Sequence, residues 1–545
     1  MSDLITPFAL GLDMPQGDPS AHGVKGANLM TMAQLDLPVP PGFVISTALG
    51  RDVSDGADEL PKDALEAISA AISTMEENLQ QGFGTGEKPL LLSVRSGAAI
   101  SMPGMMDTVL NLGFNDVVAD CVAKITGDER FAWDTYRRFI ASFAQVVLEC
   151  DPYDFEDMLD DLRVAANVET DAELPTERLR EAVERSFAIV EATSGEPFPQ
   201  DVHQQLRLAL LAVFRSWNTD RAKRYRELQN LDDTGGTAAI VQAMVFGNRN
   251  SESCTGVYFT RNPSTGDATP YGEWLPNAQG EDVVSGMRTP CELTEVGRDL
   301  SMSSQPSFEA AQPSLYKELL GIGAQLERHF LDMQEIEFTV ESGTLYMLQT
   351  RTGKRTPKAA LAVAVGLVED GIISRSDALS RCSDDELSAL QVAKVEVSKA
   401  AKPLAKGLPA SPGAVTGAIA LTSEDAVAMA AQGEDAILVR AETDPRDVHG
   451  MHAAIGILTS RGGMTSHAAV VARSMAKACI TAALDVAIDI DARRFTIGDH
   501  SFAAGDIITI DGATGQVYAG PQPLVRPKAD GALAKLLEWR DGNDG

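Results

Sequence analysis

The run Arg461-Gly462-Gly463-Met464-Thr465-Ser466-His467-Ala468-Ala469-Val470-Val471-Ala472-Arg473 limits the fold of this chain more than any other stretch. It follows a short apolar segment at 455–459 that reads as a strand. Two adjacent glycines permit a tight turn, Thr and Ser are N-cap residues, and the Ala/Val-rich sequence beyond them reads as a helix. His467 then falls in the first helical turn. There the free N–H groups and the positive end of the helix dipole disfavour imidazolium and leave a neutral ring nitrogen able to attack. The same N–H groups suit a phosphoryl group once it is attached. The plain alternative is an ordinary capped helix with a polar surface histidine, and spacing alone does not choose between them.

Around this run lie short β segments at 418–421, 436–440, 506–510 and 516–518, which predict a compact β/α domain from Gly407 to about 520. Upstream, Pro41-Gly42-Phe43-Val44-Ile45-Ser46 and Pro89-Leu90-Leu91-Leu92-Ser93-Val94 read as strands. Residues 119–230 are long, charged and helical, with apolar residues recurring at three and four in 131–149 and 204–228. Strand character returns at 239–242 and 256–260. It returns again in the pair 335–340 and 345–349 around Glu341-Ser342-Gly343-Thr344. The whole reads as α/β and α+β multidomain: a first domain at 1–355 with a helical insertion at about 119–230, connecting helices at 356–405, a β/α domain at 406–520 and a tail at 521–545.

Composition narrows the function. With 46 Lys plus Arg against 78 Asp plus Glu in 545 residues, the net charge of -32 excludes general attraction to nucleic acid or an anionic membrane. The six cysteines are scattered without a Cys-x-x-Cys pair, against a disulfide framework or zinc site. Residues 359–368 form the longest apolar run, half of a bilayer crossing, and the first residues carry no signal-type core. A cytoplasmic location is expected.

Two further segments carry chemistry. The stretch Ser93-Val94-Arg95-Ser96-Gly97-Ala98-Ala99-Ile100-Ser101-Met102-Pro103-Gly104-Met105-Met106-Asp107-Thr108 is a strand running into a small-residue loop. Its backbone donors suit phosphate oxygens, Arg95 adds a bidentate charge, and no Walker pattern is present. In Glu335-Ile336-Glu337-Phe338 and Leu348-Gln349-Thr350-Arg351, polar residues share a face at period two. Glu337 and Gln349 are oxygen donors suited to Mg²⁺, with Arg351 toward a phosphate. A Gly-rich connection and a half-exposed hairpin are the bland readings. Lys25, between Gly23 and Gly26, is a weak signal alone.

Together these segments resemble pyruvate phosphate dikinase. The matching stretches are Gly23-Val24-Lys25-Gly26-Ala27-Asn28-Leu29, Leu37-Pro38-Val39-Pro40-Pro41-Gly42-Phe43, 93–113, 256–263, Asn277-Ala278-Gln279-Gly280-Glu281-Asp282-Val283-Val284, 337–356, 407–417 and 462–473, in the family's order. The resemblance implies an ATP-grasp nucleotide-binding domain with a helical insertion, followed by a swivelling β/β/α phosphohistidine domain. It implies a histidine phosphotransferase in which ATP and phosphate become AMP and pyrophosphate. His467 matches the phosphorylated histidine; Lys25, Arg95 and Arg351 match nucleotide-phosphate ligands. Glu337 and Gln349 match residues around the Mg²⁺ of ATP. The segment Gln242-Ala243-Met244-Val245 resembles the one beside adenine, and Glu281 an acidic residue near the nucleotide. Thr465 matches a threonine that is a regulatory phosphosite in some dikinases, or it is an N-cap. The 101–108 stretch resembles the phosphate-using dikinases.

The family continues into a (β/α)₈ barrel of about 250 residues, for which 521–545 leave no room. The expectation is therefore a carrier whose acceptor sits on a separate subunit or barrel protein, with homodimerisation open. The polar end, Trp539-Arg540-Asp541-Gly542-Asn543-Asp544-Gly545, looks like a finished terminus. The alternative is a catalytically silent, truncated dikinase acting as a nucleotide-binding or regulatory protein. Complete dikinase activity from this chain alone runs against the barrel arithmetic.

Overall fold

A computed structural model of the chain describes residues 4–540, except 86, 101, 103, 230, 233, 285–288, 382–392, 397–398, 491 and 526–530. Parts of three expectations lie outside the described residues: Ser101 and Pro103 of the small-residue loop, much of the 356–405 connection, and the polar end at 541–545. The chain divides into two compact units, residues 1–245 with 346–349, and residues 246–345 with 350–545.

In the first unit an antiparallel sheet runs in the order Ile5–Phe8, Gly42–Ile45, Thr237–Ala243, Leu92–Ala98, Thr108–Leu112. The three inner strands are buried at every residue, which accounts for their mostly small and apolar composition. The strand expected at 89–94 is two pieces, Pro89–Leu90 and Leu92–Ala98; the second pairs with Thr237–Ala243 along its whole length, and this carries it past Val94 to Ala98. Helix Pro19–Gln34 packs on Leu92–Ala98. Gly23 kinks that helix at φ 65°, and a Cβ there would lie 1.8 Å from the Gly97 carbonyl oxygen. Only glycine brings the first turn this close to the strand.

The helical stretch comprises Asp116–Thr126, Glu129–Val147, Pro152–Ala166, Thr176–Ser194, Val202–Arg215 and Asp220–Leu228. The single periodic segment expected at 204–228 is broken by a 3-10 turn at Ser216–Asn218. The break is fixed by buried Arg226, which donates to the Trp217 carbonyl (2.7 Å) and stacks 4.0 Å over its ring. Periodicity cannot register such a lock.

In the second unit one sheet has the order Cys291–Glu292, Tyr271–Pro276, Cys254–Phe259, Gln334–Glu341, Thr344–Thr352. The last two strands form the expected hairpin, turned by Ser342 and Gly343 with φ of 49° and 79°. Tyr346–Gln349, in the middle of the last strand, group with the first unit. An eight-stranded sheet has the order Ala405–Lys406, Gln516–Ala519, Ile507–Asp511, Ala414–Ala420, Ala436–Arg440, Gly456–Thr459, Ala478–Thr481, Leu408–Ser411. From Ala414–Ala420 to Ala478–Thr481 its strands are parallel. Alternate residues serve two cores: Ile437, Val439, Leu458 and Ile480 on one face, Leu438, Ile457 and Cys479 on the other, beneath Ala468, Ala469 and Ala472. Helix His467–Ser474 is thus the crossover between two parallel strands, with its first residue at their carboxyl end.

A three-stranded sheet, Val486–Asp489, Arg494–Ile497 and His500–Ala503, was not foreseen because each of its strands is only four residues long. Within the expected tail, helix Gly531–Arg540 buries Leu536 against Leu361 and Leu367 of helix Pro357–Glu369. Among the described residues the five cysteines form no disulfide. Among the described residues no helix is long and apolar enough to cross a membrane.

The Gly23 contact predicts that Gly23→Ala destabilises the first unit by at least about 2 kcal/mol, because overpacking adds to a strained φ. Calorimetry should show the lowest unfolding transition shifted down by several degrees; an unchanged transition would show that the helix start is not held against the strand.

Candidate active site around His467

The two glycines do different work. Gly462 has φ 90°, the turn the spacing predicted. Gly463 has ordinary φ, but a Cβ there would stand 2.4 Å and 2.5 Å from the carboxylate oxygens of Glu273. The loop lays bare backbone on that carboxylate. Met464 N–H donates to Glu273 Oε1 at 2.7 Å and the Thr465 hydroxyl to Oε2 at 2.8 Å. Buried Arg473 donates to the carbonyls of Met464 (2.9 Å) and Ala410 (3.2 Å), holding the loop from the helix side. Thr465 is therefore not the N-cap. Ser466 occupies that position, but its side chain makes no capping bond, and its Oγ is buried with no hydrogen-bond partner among the described residues.

His467 opens the helix. Its Nδ1 is 3.1 Å from Thr443 Oγ1, while Nε2 is buried with no hydrogen-bond partner among the described residues. Burial lowers the ring's pKa to about 4, only partly opposed by the charges of Asp444 and Asp447. The ring is thus neutral near pH 7. In the tautomer with its proton on Nδ1, that N–H donates to Thr443 and the lone pair resides on Nε2, the form a nucleophile requires.

The first unit assembles a second group. Arg95, 9% exposed, donates through Nη1 to the Leu348 carbonyl (2.9 Å) and more weakly to Gln242 Oε1 (3.4 Å), and through Nη2 to Gln349 Oε1 (3.2 Å). Gln242 is fixed by its Nε2 donating to the Pro40 carbonyl at 2.9 Å. Met244 N–H donates to the Leu91 carbonyl, closing the end of the sheet. Lys25, one turn past the Gly23 kink, brings its Cβ to 3.7 Å from the Cβ position of Gly97. Arg95, Gln242 and Gln349 are therefore joined, with Lys25 beside the same strand.

In the second unit Glu337 lies on Gln334–Glu341, and Arg351 near the end of the following strand. The Arg351 guanidinium is paired with Glu335, which is buried. Sequence spacing had turned Arg351 toward a phosphate; here a carboxylate two residues from Glu337 holds it. Glu281 is exposed on the short helix Gly280–Val284. Among the described residues no group of three or more His, Cys, Asp or Glu is placed to hold a metal by itself.

Three site residues escaped the sequence reading. Thr443 carried a usable signal, since Thr443-Asp444-Pro445 follows the carboxyl end of strand Ala436–Arg440, where ligand-handling residues collect. Glu273 and Arg473 carried none. Each is a lone charged residue in an apolar run, and its partner is distant in sequence or on backbone.

Helix His467–Ser474 thus starts at the carboxyl end of parallel strands, and Arg95, Gln242 and Gln349 form a buried cluster in the first unit. Comparison with known proteins shows what the chain is similar to. The model described as "Pyruvate phosphate dikinase, AMP/ATP-binding domain" matches residues 56–311, and "PEP-utilising enzyme, mobile domain" matches 432–515. The chain is 47% identical over 539 residues to a pyruvate, phosphate dikinase of Rhizobium meliloti, covering 98% of this chain and 60% of the relative. With the Clostridium symbiosum enzyme it shares 45% over 522 residues, 95% of this chain and 58% of that one. With the chloroplastic dikinase 1 of Zea mays it shares 46% over 521 residues, 95% and 54%. Over nearly its whole length the chain is thus similar to pyruvate, phosphate dikinases, and it spans 54–60% of the length of these relatives. The expected acceptor on a separate polypeptide finds no support, because each relative carries its remaining length in the same chain as the matched region.

The burial of His467 predicts that its ring stays neutral from pH 8 down to about 5. Nitrogen-detected NMR of ¹⁵N-histidine protein should show this, and a midpoint near the ordinary 6.5 would contradict it. Since the folded state disfavours the proton, the His467 contribution to stability is whole above 6.5 and is lost as pH falls toward about 4.

Proposed function

We propose that this chain carries the nucleotide side of a dikinase reaction, the ATP- and phosphate-dependent phosphorylation of His467. The observation that carries the reading is the neutral imidazole whose Nδ1 faces Thr443 and whose Nε2 is buried and unpartnered. In the reaction, Nε2 attacks the β-phosphorus of ATP, the bond to the α-phosphate oxygen breaks, and AMP leaves. Inorganic phosphate then attacks the terminal phosphorus of the pyrophosphorylated ring, pyrophosphate leaves, and one phosphoryl group stays on Nε2. Thr443 keeps the proton on Nδ1 until the new N–P bond forms, when the ring gains positive charge beside Asp444 and Asp447.

The nucleotide end follows from the resemblance and from residue type. Arg95 and Lys25 would neutralise phosphate charge, with Gln242 and Met244 in the adenine segment and Glu281 an acidic residue near the nucleotide. Arg351 would become a phosphate ligand by exchanging Glu335 for phosphate oxygens. The carboxylate of Glu337 and amide oxygen of Gln349 are hard donors that fit Mg²⁺, which usually takes one or two protein oxygens and fills its shell with phosphate and water. When bound with ATP, the ion neutralises charge on the transferring phosphates.

The proposal places an ATP-grasp domain in 1–355 and a swivelling phosphohistidine domain in 406–520, with hinges in 356–405 and beyond 520, because a single His has to meet a nucleotide and then an acceptor. Pyruvate phosphate dikinase activity is what the relatives' names state. Thr465 is proposed as a secondary control point, since a phosphoryl group there would set a dianion against the Glu273 carboxylate.

Incubation with Mg²⁺, phosphate and β-³²P-ATP should leave acid-labile label on the protein, and His467→Asn should abolish it. ATP binding with no label under any of these conditions would identify a nucleotide-binding protein without turnover. Thr443→Val should slow labelling several-fold, the effect of losing about 1 kcal/mol of hydrogen bonding. Thr443→Ser should restore most of the rate; if Thr443→Val labels as fast as the parent, the tautomer argument fails.

A further inference from the structure

In the first unit, residues 104–107 at the return end of the small-residue loop are held from outside their own sheet. The ladder between Leu92–Ala98 and Thr108–Leu112 ends with Arg95 opposite Thr108, so these four residues lie beyond the last strand pair. Gly104 turns the chain at φ 71°, and the Met105 side chain is buried. The Met105 carbonyl accepts from Arg221 Nε at 3.1 Å, and the Asp107 carboxylate accepts from Arg221 Nη2. Asp107 N–H donates to Ser216 Oγ at 3.2 Å. The Ser216 hydroxyl gives its own proton to the Val213 carbonyl at 2.7 Å, which leaves its oxygen as the acceptor.

These contacts give the broken helix a use. Ser216 opens the 3-10 turn Ser216–Asn218, and Arg221 is the second residue of the helix that follows it, Asp220–Leu228. On one continuous helix, residues five apart would face directions about 140° apart. The break that Arg226 and Trp217 lock instead brings both groups onto the same four residues.

We propose that Ser216 and Arg221 are positioning residues that hold Gly104–Asp107 in the shape in which its backbone N–H groups take inorganic phosphate. The inference rests on the proposed function, in which phosphate is a substrate, and on this loop as the stretch whose backbone suits phosphate oxygens. The N–H groups of Met105 and Asp107 are committed to the Met102 carbonyl and to Ser216. Those of Gly104 and Met106 have no hydrogen-bond partner among the described residues. Alternate donors are thus pinned to protein, and the two between them are left for a ligand.

Arginine suits this task. Its planar fork reaches a carbonyl and a carboxylate at once, which an ammonium on a flexible stem does not do in one fixed geometry. Burial pushes the Asp107 carboxyl up, and the charge and bond of Arg221 oppose that. Paired, the carboxylate is compensated where an anion has to come close; unpaired, it would repel phosphate.

Relaxation of the ³¹P resonance of inorganic phosphate, titrated with the full chain, gives a dissociation constant without any step at His467. Arg221→Met should weaken phosphate binding about tenfold, as for loss of a charge-assisted contact, and Ser216→Ala about fivefold. The ATP affinity of both variants should stay at the parent value. Ser216→Ala removes no charge, so its effect separates anchorage from direct contact of phosphate with the guanidinium, and it decides the matter if Arg221→Met does not keep the parent melting profile. An unchanged phosphate constant in Ser216→Ala overturns the proposal, as does an equal loss of ATP affinity or a parent chain that binds no phosphate. Absence of label on His467 counts against the proposed function and leaves the phosphate constants to decide this inference.

Discussion

The proposed chemistry depends on an imidazole kept uncharged by its surroundings. His467 is buried at Nε2, bonded at Nδ1 to a hydroxyl, and near two carboxylates that would otherwise draw a proton onto it. Burial wins over those charges. A protonated ring would have no lone pair to offer, so each feature of the 461–473 segment can be understood by how it holds the ring in this state. The strand order puts the helix start at a carboxyl edge. Gly462 turns the chain there, Arg473 clamps the loop carbonyls, and Gly463 leaves room for Glu273.

Seating has a cost in reactivity. The conformation that keeps Nε2 dry also keeps it from any phosphate, so the loop has to be held by bonds that can be exchanged. Glu273 meets that need better than an apolar contact would. Its bonds to one N–H and one hydroxyl can pass to water on release. Arg351 follows the same logic at the nucleotide end, where Glu335 occupies a guanidinium that a phosphate could take over.

Much of this was legible in the sequence, for a physical reason. Turn glycines, cap residues and period-two alternation are local, so the His467 helix, the 342–343 hairpin turn and the inner strands could be read directly. Arg95 and Gln349 were read from local pattern and Gln242 from the resemblance, and the structure joins them by hydrogen bonds. What could not be read was non-local. The break at 216–218 depends on a guanidinium ten residues on, counted from Ser216. Thr465 looked like a cap because its partner lies 192 residues away on another sheet. Thr443 is 24 residues from His467 and meets it only because two parallel strands end side by side.

The most direct test of the nucleophile is the position of the phosphorus. Phosphorus NMR of the intact chain after incubation with Mg²⁺, ATP and phosphate should show a phosphoramidate resonance of the Nε2-linked isomer, because Thr443 occupies Nδ1. A signal from the Nδ1-linked isomer, or none from protein that binds ATP, would contradict the account.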